Sequence, residues 1–213
     1  EYAIIGEPNR WDRIALGYKG SARVRLSVHQ HQTHTAHPGN NACEAAVENS
    51  LSIKSWADSY NLGIERVFDQ LLLRLHGMES EENGFEQQAH LDIGARLPPH
   101  LTPENWYTHL VEIAVGSEIH PQGFPLRAYR CEKNTPLVRA VLAAIRSSRG
   151  TPGFVYKTGT CDLNLVGPVW KCPTVVYGPG DSSLDHTSEE HISLVEYQRS
   201  IEVLYAAIQQ LTG

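Results

Sequence analysis

Between Ala22 and His29 the side chains alternate without a break. Ala22, Val24, Leu26 and Val28 fall on one side; Arg23, Arg25, Ser27 and His29 fall on the other. A strand turns successive side chains to opposite faces, so this stretch predicts a strand with one buried and one solvated side. Such strands belong to antiparallel sheets; strands covered on both faces read instead as continuous apolar runs. The alternation therefore demands partner strands and helices packed on one side only.

The residues that follow supply both. Asn41 is placed to cap a helix over 42–60, with Ala42, Ala45, Ala46, Ile53, Trp56 and Ala57 at roughly helical spacing. Strand-like runs follow at 70–76 and 85–97, with an acidic turn expected over 79–84. A helix beginning at Thr102 or Pro103 and ending at Ile113, then a strand over 114–119, complete the order β-α-β-β-α-β. That order predicts a ferredoxin-like unit, with limits at 17 and 123.

The flanks have another style. An apolar strand pattern over 2–5 ends at Gly6-Glu7-Pro8. Proline cannot donate to a ladder, so the strand stops there with Glu7 at its mouth. Thr135-Pro136 opens a helix whose stripe is Leu137, Val138, Val141, Leu142 and Ile145. Two short apolar runs follow, over 154–156 and 174–177. Ser193 and Glu196 have the spacing of a capping box. The helix they open is expected to bury Leu194, Tyr197, Ile201, Leu204, Ile208 and Leu211. Strands alternating with helices predict an α/β layer.

Charge and cysteines narrow the setting. Over 213 residues, 18 Lys and Arg face 24 Asp and Glu, a net charge of −6. That balance argues against general nucleic-acid binding, which needs a basic face. No apolar run approaches the ~18–20 residues of a membrane span, and no signal-peptide pattern is visible. Cys43, Cys131, Cys161 and Cys172 form no CxxC pair and read as reduced thiols of a cytoplasmic protein. The chain begins inside a strand pattern, and its one methionine is Met78. This start reads as a cut end.

Two segments are rich in glycine and short polar residues: Lys157-Thr158-Gly159-Thr160-Cys161-Asp162, and the run from Gly178 to Thr187. Each follows a strand-like run, and ligands of α/β sheets bind beyond the carboxyl ends of strands. Glu7, Thr160 and His186 are thus expected at one sheet edge. A carboxylate and an imidazole there suit Zn²⁺, with Asp185 as an orienting neighbour. The plainer alternatives are a capped Asp-His turn and a solvated strand end. His29 and His31 fall on the solvated face of the alternating strand, and His34 and His37 in the bend after it. His90 and Asp92 have a ligand-like spacing but sit inside a strand of period two. Arg96 is either a rim charge or a carboxylate clamp.

Taken in order, Ile4-Ile5-Gly6-Glu7-Pro8, Gly17-Tyr18-Lys19-Gly20, His34-Thr35-Ala36-His37-Pro38 with Asn41-Ala42, Arg96-Leu97-Pro98-Pro99, the Lys157–Asp162 segment, and Tyr177-Gly178-Pro179-Gly180-Asp181-Ser182 with Leu184-Asp185-His186-Thr187 and Glu189-Glu190-His191 carry a resemblance. The chain resembles the dinuclear-zinc amidohydrolases and metallopeptidases that include acetylornithine deacetylase, succinyl-diaminopimelate desuccinylase, aminoacylase and carboxypeptidase G. Within them it is most similar to the hydrolases that release lysine or ornithine from an amino-group carrier protein.

The resemblance implies an α/β zinc-peptidase-like catalytic domain, over 1–16 and 124–213, interrupted by a lid and dimerisation domain over 17–123. It implies two zinc ions, with cobalt as a substitute, held in part by Glu7 and His186. It gives His34 the role of steadying the oxyanion across a homodimer, Arg96 that of holding the substrate carboxylate, and Gly159 and Thr160 those of substrate contacts. Lys19 and Asn83 are further candidates to line the substrate site. Cys161 stands where the family commonly has Ser. The implied substrate is an N-acyl amino acid or an amino-group carrier protein, in amino-acid biosynthesis. The family's His-x-Asp ligand pair, bridging Asp and Glu-Glu pair precede the Gly-Glu-Pro strand and do not occur in these residues. Two ligands cannot hold two zinc ions, so the chain alone is expected to be inactive. The alternative is a non-catalytic dimerisation or binding module derived from such an enzyme.

Overall fold

The computed structural model describes residues 1–31 and 39–213. In chain order the elements are β1 (Ala3–Ile5), β2 (Arg13–Tyr18), β3 (Gly20–His31), α1 (Ala42–Tyr60), a 3₁₀ turn (Val67–Asp69), β4 (Leu72–Glu82), β5 (Glu86–Leu97), α2 (Pro103–Ile113), β6 (Ser117–Leu126), β7 (Tyr129–Arg130), α3 (Pro136–Ser147), β8 (Gly153–Lys157), α4 (Leu163–Trp170), β9 (Thr174–Val176) and α5 (Leu194–Thr212). They form two compact units, an outer one of residues 1–18 with 129–213 and an inner one of 19–128. No helix among the described residues is long and apolar enough to cross a membrane.

The inner unit is an antiparallel sheet in the order β4-β5-β3-β6, with helices after its first and third strands. This is the β-α-β-β-α-β order read from the sequence. Ala22, Val24, Leu26 and Val28 are buried and join α1 and α2 in one core, with Leu91, Ile93, Trp106 and Leu110. Asn41 caps α1 reciprocally: its side chain accepts from the Glu44 amide, and the Glu44 carboxylate accepts from the Asn41 amide, both at 2.9 Å. A cap of this kind is worth about 1 kcal/mol. At the other end Asn61 clips the helix to the chain before β4, exchanging two hydrogen bonds with the Leu71 backbone at 2.7 and 2.8 Å.

Two local expectations change. The acidic residues Glu79, Glu81 and Glu82 belong to β4, and the turn is tighter, at Asn83 and Gly84, where Gly84 takes a φ of +87°. β6 starts only after Gly116, at φ +73°, and runs through to Leu126, carrying the unit's end past the expected residue 123 to 128. The alternating strand β3 lies inside the sheet, between β5 and β6, so β4 and β6 are the edges.

The outer unit has a mixed sheet. β1 runs parallel to β9, and β2 pairs with β7, β8 and β9. β2 is buried at every position from Ile14 to Tyr18, so it shows no alternation to mark it as a strand. α3 begins at the capping Thr135, as expected, and packs with α5. The face of α5 differs from the expected one. Ser200, Val203 and Ala207 are buried, with Leu204 and Leu211 packed beside them. Leu194, Tyr197, Ile201 and Ile208 are exposed. Small residues on α5 meet a helix whose Ala140 and Ala144 are also buried, and small side chains allow the closer approach.

Candidate active site

The site builds around the end of β1. After Ile5 the chain turns away through Gly6, Glu7 and Pro8, and the next residues attach to the loop after β9. The Asn9 amide donates to the Gly178 carbonyl at 3.1 Å, and the Arg10 amide to that of Gly180 at 2.8 Å. Gly178 has a steric reason: a Cβ there would lie 2.7 Å from the Glu7 carbonyl oxygen. Gly180 has a conformational one, a φ of +96°. Arg10 and Asp181 pair at 2.5 Å across the two loops.

Glu196 draws the same loops together. Its Oε1 accepts from the Trp11 amide at 2.8 Å and from the Gly180 amide at 3.3 Å. Ser193 caps α5 as expected, accepting from the Glu196 amide at 3.4 Å. The carboxylate, however, ties the loops instead of closing the capping box. Its spacing three residues after Ser193 gave only the local role.

Glu7 is half-buried and its carboxyl is held above the usual carboxylate range. Burial is the main cause, followed by the like charges of Asp162 and Asp185; Lys157 opposes them. The charges of Asp162 and Asp185 are thus felt at the Glu7 carboxyl. Asp162 precedes α4 without using its side chain as a cap. Lys157, at the end of β8, donates to the Pro8 carbonyl at 3.1 Å and to the Ser182 hydroxyl. Burial holds its ammonium below the usual lysine range against the pull of Asp185, Asp181 and Glu7. Tyr18 hydrogen-bonds Asn9 and Cys161. Burial raises the Tyr18 hydroxyl, and it pushes the Cys161 thiol up to about 12. Neither is an acid or base at neutral pH. Asn9 is 3% exposed, and its Oδ1 has no hydrogen-bond partner among the described residues.

The other expected residues fall as follows. His186 directly follows Asp185, exposed, at a φ of +62°, its amide donating to Glu190 Oε2 at 3.0 Å. His191 turns its Nδ1 to the Glu189 carbonyl at 2.6 Å. Thr160 is half-buried in the loop before α4. Gly159 lies in the same loop, where a Cβ would meet nothing within 4 Å, so no steric demand explains the glycine. Arg96 is in the inner unit, on β5 opposite Ser21 and Leu72. Burial and Arg23 hold its guanidinium below the usual range. His34 lies outside the described residues, as does His37.

Lys19 and Asn83 do not have the substrate-facing character expected of them. Lys19 is fully buried and donates to the carbonyls of Val67, Phe68 and Gln70, capping the 3₁₀ turn. Asn83 turns the β4–β5 hairpin, its Oδ1 accepting from the Phe85 and Glu86 amides. His90 and Asp92 are structural: His90 Nδ1 meets Ser27 Oγ at 2.8 Å, and Asp92 takes a two-pronged hold on Arg25 at 2.7 and 2.9 Å. Sequence reasoning missed Lys157, Tyr18 and Asn9 as individuals, because a lysine at a strand end and a tyrosine in an apolar run look ordinary.

Among the described residues no three His, Cys, Asp or Glu side chains are grouped to hold a metal ion. The pocket fits a cation only in part. Its crowded carboxylates and unpartnered amide oxygen favour one, while the donor set is too small to enclose it.

The family model described as peptidase family M20/M25/M40 matches residues 1–210. A LysW-lysine hydrolase of Deinococcus radiodurans is 37% identical, over 100% of this chain and 60% of its own length. A LysW-lysine/LysW-ornithine hydrolase of Saccharolobus solfataricus is 23% identical, over 99% of this chain and 59% of its own. In three dimensions the chain is similar to the M20 family metallo-carboxypeptidase Sso-CP2 of Sulfolobus solfataricus, with a TM-score of 0.68 and 18% identity over 99% of this chain and 62% of that one. The chain therefore spans about 60% of the length of the relatives it matches.

Proposed function

The chain belongs to peptidase family M20/M25/M40, and from that premise we propose that it is part of a metal-dependent amide hydrolase that releases lysine or ornithine. The substrate is an amino-group carrier protein or an N-acyl amino acid, and the setting is cytoplasmic amino-acid biosynthesis. The observation that carries this reading is the half-buried Glu7 carboxyl just after β1, raised by burial and then by the charges of Asp162 and Asp185. Like charges held together at a loop cluster cost stability unless a cation completes them.

Glu7 and His186 would hold the metal, two zinc ions in the full site or cobalt in their place. When bound, the metal would polarise the scissile carbonyl and activate water. Lys157 holds the Glu7 loop to the loop bearing Asp185 and His186, so that the donors stay in place. Gly159 and Thr160 contact the substrate, Arg96 grips its carboxylate, and His34 steadies the oxyanion from a second copy. The homodimer would form through an open edge of the inner sheet, β4 or β6.

The test is metal content and rate in the full gene product. His186→Ala is expected to lose bound metal and most of the activity, measured as lysine released from an N-acyl-lysine. His191→Ala is expected to keep its metal, since His191 lies just before the Ser193 cap of α5, beyond the glycine-bearing loop that follows β9. Equal metal retention in the two variants would refute the ligand assignment. The 213-residue polypeptide alone is expected to release no lysine, with or without zinc, for want of a third ligand. Chelator-sensitive turnover by it would overturn this account.

A further inference from the structure

The inner sheet has helices on one face; its other face is open, and it is not uniform. Directly paired residues share a face. Across the row through Gly94 these are Arg74 on β4, Arg23 on β3 and Gln122 on β6. Arg96 lies one pair further along the same face. The next row in the other direction holds Arg25 and Asp92, locked to each other. Beyond it the face turns acidic, with Glu79 and Glu118.

A cavity of about 450 Å³ opens here, lined by Arg23, Arg25, His76, Asp92 and Gln122 among others. Small-ligand sites run from ~300 Å³ upward. A departure from regular sheet geometry shapes it. The register of β4 against β5 shifts between Leu75 and Gly77, which makes His76 the extra residue of a bulge. Bulges re-aim a side chain. The imidazole comes to rest over Gly94, where a Cβ would lie 2.5 Å from His76 Nε2. Any other residue at 94 would force the ring to shift.

Asp92 is neutralised by Arg25. Arg23 has no ion pair among the described residues, although the chain carries a net −6. A planar cation beside an amide and an imidazole, with the local carboxylate already satisfied, selects an anion of matching shape.

We infer that this open face carries a carboxylate-binding subsite centred on Arg23, with His76 and Gln122 as its further donors. A carboxylate can arrive as a free amino acid or as a side chain of an acidic peptide; the spread of Arg23, Arg74 and Arg96 over neighbouring strands favours the peptide. The inference stands apart from hydrolysis and is read by binding alone.

The experiment titrates the 213-residue protein with tri-glutamate, tri-glutamine and free glutamate, following amide shifts in NMR spectra. Tri-glutamate is expected to bind and to shift the amides of 23, 76, 94 and 122, and tri-glutamine is not. Arg23→Ala is expected to weaken binding at least tenfold, and Arg23→Lys less, because the fork geometry is lost but the charge kept. Arg127→Ala, on an exposed arginine that does not line this cavity, is expected to bind like the parent. Gly94→Ala is expected to weaken binding through displacement of His76. Free glutamate binding as tightly as the peptide would overturn the peptide and leave the subsite to a small carboxylate. Undiminished binding by a folded Arg23→Ala, or no binding of either glutamate ligand, would overturn the subsite itself.

Discussion

The two sheets of this chain bury their central strands in opposite ways. β2 of the outer unit is covered at every residue from Ile14 to Tyr18; β3 of the inner unit is covered at Ala22, Val24, Leu26 and Val28, while on its other side Arg23 and His29 are exposed, Arg25 is half-buried and only Ser27, bonded to His90, is buried. A strand covered on both faces contributes nothing but packing along its length, and its chemistry is pushed out to the loops at its ends. A strand covered on one face can carry chemistry along its whole length. In the outer unit the polar cluster accordingly sits on three loops, around Glu7, Lys157 and Asp185. In the inner unit the charged side chains stand on the strands themselves.

The comparison is open to direct attack. Leu16→Ala in β2 is expected to cost about 2–5 kcal/mol, and so is Leu26→Ala in β3. The distinguishing variants are the sequence neighbours. Ala15→Asn puts an amide into the opposite, equally buried side of β2 and is expected to cost at least ~2 kcal/mol. Arg23→Ala, on the open side of β3, is expected to stay within about 0.5 kcal/mol. Urea unfolding of the four variants gives the answer. A neutral Ala15→Asn would mean that β2 has an open face, and the contrast would fail.

That contrast also explains what the sequence discloses. The inner unit is legible because period two, the Asn41 box and the Thr102 cap are local signals, and local signals match the final structure there. β2 carries no alternation. α4 was equally hidden, because Gly167 and Pro168 sit inside it and both argue against a helix. The buried side of α5 depends on which helix lies beneath it, a fact of packing that spacing does not contain. Among the candidate site residues, the local signals are the proline after Glu7 and the glycines around Asp162, Asp185 and His186. Glu196 escapes, because its partners Trp11 and Gly180 are distant in sequence. The resemblance supplied what spacing could not, the likeness to lysine- and ornithine-releasing hydrolases.

A second prediction concerns the residue at which the inner unit begins. Lys19 is fully buried, and burial pushes its ammonium down from 10.5 to about 8, with Asp69 pulling the other way. Lys19→Met removes the donor to three carbonyls and is expected to cost about 1–3 kcal/mol at neutral pH. The pH dependence has a definite sign. From pH 8 to 10.5 the unfolded chain keeps a proton on this group that the folded chain has lost, so the group's contribution to stability rises with pH. The parent is therefore expected to gain on Lys19→Met across that window in parallel melting curves. A constant gap between the two would mean that the carbonyls hold the charge against burial.

The smallest effect tests the loops of the outer unit. Glu7 is raised by burial, then by Asp162 and Asp185, and the Lys157 ammonium opposes them. A carboxyl raised in the folded state destabilises the fold once the pH passes the ordinary carboxylate range, because the unfolded chain ionises first. Below that range both states are protonated and the cost disappears. Glu7→Gln keeps the shape and removes the charge, so without metal it is expected to melt slightly higher than the parent at neutral pH. The difference is expected to shrink to nothing as the pH falls below the unfolded carboxylate's value. With zinc present in the full gene product the order should reverse, because a metal bound to the folded state stabilises the parent by mass action and the amide is a poorer ligand. The opposite pattern, a metal-free Glu7→Gln that melts lower at neutral pH, would make Glu7 a structural partner of Lys157. The loops would then be packed for stability like the strands behind them, and the crowding of carboxylates would no longer point to a cation.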